Sequence, residues 1–169
     1  MEKKIKSFEE YYDTNVIDIK FKSKKNGWEK SSIEYFSDRI NKTYPYVDDS
    51  LMSLYSSNLI LRDSCYNCSA KGLSGNGADI ILGDYWGVYN VHQDFFDDNG
   101  VSCIIIKTDK GKKLFENVRE NFDFVETQYD DIIKYNPSFV DSTSKPLERN
   151  KIFDELRNTN INVILININ

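Results

Sequence analysis

Apolar positions change period several times along the chain, and each change predicts an element. After a short helix over residues 3–12, Ile17, Ile19 and Phe21 alternate with Asp18, Lys20 and Lys22, the two-residue period of a half-buried strand. Asn26-Gly27 tolerates the backbone of a tight turn, and alternation resumes at Ile33 and Tyr35, so residues 17–35 predict a β-hairpin. Asp48 and Asp49 then stand where a helix carrying Leu51, Leu54 and Tyr55 needs an N-cap, and that helix is expected to end near Asn58.

Two Ile/Val/Leu-rich runs, 78–84 and 101–107, predict further strands, the second introduced by the turn sequence Asp98-Asn99-Gly100. Thr108 and Asp109 are caps for a helix whose Leu114, Phe115, Val118 and Phe122 fall on one face. Ile132 and Ile133 mark another amphipathic piece, and Pro146 opens a last helix with Ile152, Phe153 and Leu156. Strands and helices follow one another without a βαβ rhythm. The expected class is α+β, with a mixed, largely antiparallel sheet, flanking helices and an N-terminal β-hairpin. Residues 1–157 are expected to form a single domain, and 158–169, an Asn/Ile-rich ending, a tail or an edge strand.

The 169 residues are 40% apolar, enough for an ordinary core. A net charge of -5 argues against nucleic acid, whose phosphates require neutralising Lys and Arg, and Lys20, Lys22, Lys24 and Lys25 read as a solvated strand face. No stretch approaches the ~18 apolar residues of a membrane span, and the first residues lack a signal-peptide core. Three cysteines do not make a disulfide framework, so a reducing cytoplasm is expected, where a C-x-x-C pair points to metal or redox chemistry.

Cys65 and Cys68 have that spacing, which lets two thiolates reach one metal centre from a single turn. A tetrahedral zinc or a four-iron cluster needs four ligands. Beyond the pair the chain offers Cys103, which reads as a small apolar core residue, and His92, which reads as an ordinary loop histidine. The glycines after the pair oppose the helix that a thioredoxin-like thiol requires. Gly72, Gly75 and Gly77 precede a strand instead of opening a helix, so a phosphate-cradling loop is unsupported and a flexible connector is expected. Asp97, Asp98 and Asn99 read as a turn and not a cation loop. Asp79 and Asp84, five apart, should point to opposite faces of their strand, which is not the geometry of a carboxylate pair. Gly83 and Gly87 permit close backbone approach. Tyr85 and Trp86 suit either stacking on a planar ring or burial in a core corner.

Several segments in order, KSKKNGW (22–28), LRDSCYNC (61–68), ADIILGDYWG (78–87), DDNGVSCIIIKT (97–108), KGKKLF (110–115) and Asn136-Pro137, resemble the C-terminal domain of the coenzyme F420 hydrogenase/dehydrogenase beta-subunit family over residues 15–157. The resemblance implies a redox, electron-transfer domain of an iron-sulfur flavoprotein, an oxidoreductase subunit, with a 4Fe-4S cluster, FAD or another flavin, and coenzyme F420 as substrate in the founding members. Cys65 and Cys68 then become metal ligands. Asp79, Gly83, Asp84, Trp86 and Gly87 match a D-I-x-x-G-D-x-W-G signature and become candidate cofactor-binding residues, with a role at the flavin or in folding. Members of the family usually carry a cysteine-rich, ferredoxin-like region ahead of these motifs. The expectation is therefore a C-terminal piece, inactive in isolation, whose partners are that region or a partner subunit, and a redox carrier. Bacterial relatives belong to polysaccharide-biosynthesis contexts, so a non-catalytic binding or assembly module is the alternative. A small zinc domain using Cys65, Cys68, Cys103 and His92 is another.

Overall fold

The first alternating run folds into a three-stranded antiparallel sheet in the order β1-β2-β3, with β1 at Val16–Ser23, β2 at Ser32–Ser37 and β3 at Lys42–Pro45. Gly27 closes the hairpin at φ 93°, its N–H donating to the Lys24 carbonyl. The coordinates come from a computed structural model that describes residues 1–73 and 77–158. The chain divides into two compact units, 1–66 together with the segment from 144, and 67–143. The Gly-rich connector falls partly at 74–76, and most of the Asn/Ile-rich ending at 159–169; both stretches lie outside the described residues.

In the first unit β2 is central, and Ile33 and Tyr35, two residues apart, are fully buried on one face. Helix α1 (Glu2–Tyr12) lays Phe8 against Tyr35 with ring centroids 4.7 Å apart, and ends where Asp13 adopts a left-handed conformation. Helix α2 (Ser50–Ser56) adds Leu51, Met52 and Leu54, and Ile152 comes from the last helix, α6 (Arg149–Asn158). One expected face is corrected. Ile17 and Phe21 are exposed and Val16 and Ile19 face inward, because irregularities between Val16 and Asp18 and between Lys20 and Ser23 shift the alternation of β1.

The second unit is built on a two-stranded antiparallel ribbon, β4 (Ile80–Asp84) with β5 (Ser102–Ile106), with α3 (Val88–Val91) between them in sequence and α4 (Asp109–Glu116) and α5 (Tyr129–Tyr135) after β5. One ribbon face, with Cys103 and Ile105, packs on Tyr85, Val88 and Ile132; the other leaves Leu82, Ile104 and Ile106 exposed. The first unit's core holds eight buried apolar side chains and the second's four, among the described residues. At about 1.5–3 kcal/mol for each fully buried side chain of this size, the second unit depends more heavily on its polar ties.

The class is thus α+β with the expected N-terminal hairpin, and pairing among the described residues is antiparallel in two separate sheets. No helix among them is long and apolar enough to cross a membrane.

Candidate functional site

Cys65 ends a 3-10 turn, Asp63–Cys65, and its N–H bonds back to the Arg62 carbonyl at 2.9 Å. The turn is framed by cations. Asp63 accepts from Lys145 at 2.8 Å and faces Arg149 at 3.6 Å, and both cations lie over the Tyr66 ring, at 5.9 and 5.4 Å. The Lys145 hydrogen bond, with Arg149 behind it, holds the Asp63 carboxyl below its ordinary pKa. Cys68 belongs to the second unit, where its N–H donates to Ser142 Oγ at 2.8 Å. Both sulfurs are half-buried, unbridged thiols.

The D-I-x-x-G-D-x-W-G segment runs through β4 into the start of α3. Asp79 accepts from the Thr108 hydroxyl at 2.7 Å and from Lys110 Nζ at 2.9 Å, which together lower its pKa, the hydroxyl contributing most. Thr108 Oγ1 in turn accepts from Gly111 N–H and caps α4. Gly111 is a residue that motif spacing alone misses: a Cβ there would lie 2.4 Å from the Asp79 carbonyl oxygen, so only glycine lets α4 rest on the entry to β4. Its signal is a costly glycine inside an otherwise helical KGKKLF run.

At Gly83 a Cβ would lie 2.4 Å from the tip of the Phe139 ring, and at Gly87 it would lie 2.2 Å from Tyr135 Cγ. Tyr85 is buried, its hydroxyl 2.6 Å from Thr127 Oγ1, whereas Trp86 is 41% exposed. Asn136 Nδ2 donates to the Asp84 carbonyl at 3.2 Å, while its buried Oδ1 has no partner among the described residues. Cys103 sits under this corner. Burial pushes its thiol up to about 11, in keeping with the apolar role expected of it. His92, expected as a loop residue, follows α3 half-buried, its ring edge-on to Tyr85 at 6.3 Å and its Nε2 without a partner among the described residues. Asp97 to Gly100 form the expected turn, with Asn99 N–H on Asp97 Oδ1 at 2.6 Å.

The donor chemistry of two part-exposed thiols fits half the ligand set of an iron-sulfur cluster. On the side where a Cβ would project, the space beside Gly83 and Gly87 is filled by Phe139 and Tyr135. Among the described residues no three His, Cys, Asp or Glu side chains form a group able to hold a metal, which leaves a zinc site with Cys103 and His92 unsupported. A separate cleft of about 240 Å³ in the first unit is lined by Phe8, Tyr11, Tyr12 and Tyr44 together with Lys4 and Asp49, and includes none of the candidate residues.

No match is found among curated proteins or among solved structures. One family model does match over residues 1–131, and it describes the C terminus of the beta subunit of coenzyme F420 hydrogenase/dehydrogenase. The match starts ahead of the resembling segments and stops before Asn136-Pro137; the cysteine knuckle and the Asp79–Gly87 segment lie inside it, and Tyr135 to Phe139 lie beyond it. By its description the family is one of oxidoreductase subunits. With that model spanning well over half of its 169 residues, the chain belongs to the family of C-terminal domains of the coenzyme F420 hydrogenase/dehydrogenase beta subunit.

Proposed function

We propose that the chain is an electron-transfer domain of an iron-sulfur flavoprotein, with Cys65 and Cys68 supplying two thiolates to a four-iron cluster and a cysteine-rich, ferredoxin-like region or partner subunit supplying the others. The observation that carries this is the pair of half-buried, unbridged thiols three positions apart inside the matched family span. Lys145 and Arg149, which both engage Asp63, support it by fixing the turn that ends at Cys65. When bound, such a cluster accepts and releases one electron at a time; the protein's part is to hold it and tune its potential.

Anaerobic reconstitution with iron and sulfide, on the purified chain and with the cysteine-rich region supplied, tests this by visible absorption. A broad sulfur-to-iron charge-transfer band should appear when that region is present and vanish in Cys65→Ala and Cys68→Ala. A colourless product in every combination, or a band indifferent to both substitutions, sinks the proposal.

A further inference from the structure

The D-I-x-x-G-D-x-W-G signature invites a cofactor-contact reading, yet nearly every one of its residues is already engaged within the second unit. Gly83 leaves room for the tip of Phe139, and Gly87, at φ 83°, leaves room for Tyr135. Asn136, between those two aromatics in sequence, ties the Asp84 carbonyl. Asp79 is fixed by Thr108 and Lys110, and Tyr85 by Thr127. Trp86 is the motif ring that stays part-exposed, at 41%.

We propose that the Asp79–Gly87 segment is a packing corner that receives the Tyr135–Phe139 segment, and that its glycines serve that closure instead of contacting a flavin. The physical requirement is volume. A methyl group 2.4 Å from an aromatic carbon is far inside van der Waals contact, and this unit has a thin core with little room to redistribute the strain. The corner thereby links α5 and the turn after it to the β4–β5 ribbon, which as a two-stranded element needs such packing to persist. The inference is independent of whether the knuckle holds a cluster, because it concerns other residues and is read by folding equilibria.

Gly83 is the position to test, since its φ lies outside the left-handed region and alanine there changes occupied space alone. Gly83→Ala, Phe139→Leu and the double variant of the full chain would be compared by urea unfolding, with FAD fluorescence quenching recorded in parallel and Trp86→Leu as the exposed control. Gly83→Ala should lower the folding equilibrium constant at least tenfold. In the Phe139→Leu background, where the ring tip is gone, the same substitution should cost at least fivefold less, while Trp86→Leu stays within about threefold of the parent. Equal destabilisation by Gly83→Ala in both backgrounds overturns the proposal. So does a Gly83→Ala chain that unfolds like the parent, whether or not its response to FAD changes. A Gly83→Ala chain too unstable to purify still leaves a decisive outcome: the double variant must then fold, and its failure to do so counts against the proposal.

Discussion

Asp49 answers to three elements at once. Its Oδ1 accepts from the N–H groups of Leu51 and Met52 at the start of α2, and its Oδ2 takes the Tyr35 hydroxyl of β2 at 2.9 Å and faces Lys4 of α1 at 3.2 Å. Burial and the neighbouring carboxylate raise the Tyr35 pKa far above its ordinary value, so the phenol stays a donor throughout the accessible pH range. Asp49→Ala removes the cap, the counter-charge of a buried ammonium that keeps its bond to Ser50 Oγ, and the acceptor of a buried hydroxyl, and the expected loss is about 3 kcal/mol, seen as a lower urea midpoint. The sequence showed the cap, because an N-cap is a local relation between a residue and the two or three that follow it. It could not show Tyr35 or Lys4 as partners, because those meetings depend on how β2 and α1 are brought together. The same divide separates the corner residues: the family resemblance picks out their motif, while the rings that fill it come from a segment some fifty positions further along.

At the scale of elements, α4 shows what the pattern reveals and what it conceals. Thr108 was legible as its cap, and the cap is doubly used, accepting from Gly111 N–H while donating to Asp79. Thr108→Ala is therefore expected to destabilise the chain by about 1–2 kcal/mol, and Thr108→Ser to recover most of that, by the same unfolding measurement. The expected face through Val118 and Phe122 does not form one helix. The α-helix ends at Glu116, a 3-10 turn follows at Arg119–Asn121, and Leu114 and Phe122 are exposed while Phe115 packs edge-on against Phe124. Similarly, Pro146 precedes α6 by three residues, with the Arg149 N–H turned back to its carbonyl. Strand β3 is not legible in the pattern because Lys-Thr-Tyr-Pro is too short to display alternation; its partner β2 makes it a strand.

Across the whole molecule, three exposed carboxylates are held below their ordinary pKa: Asp38 by the Thr14 hydroxyl and then Asn15, Asp63 by Lys145 and then Arg149, and Asp79 by Thr108 and then Lys110. A depressed folded-state pKa adds stability above the unfolded value of ~4, and that stability is lost as pH falls through the folded values. The urea midpoint should accordingly stay level between about pH 7 and 5 and decline below ~4, with Asp79→Asn showing a shallower decline. Solvent around all three carboxylates keeps each share small. The two sheets differ in another way. In β2 both edges are paired, whereas among the described residues each ribbon strand has one partner, and bonds from Lys107 N–H to Asp79 and from Tyr85 N–H to Val101 set its phase. The amides of Ile81, Gly83, Cys103 and Ile105 then lie between the strands, and those of Leu82 and Ile104 face outward. Transferred to deuterated water, the chain should label every second position along the ribbon quickly while β2 labels slowly throughout, and uniform labelling in both would show that the ribbon opens as freely as its edges suggest.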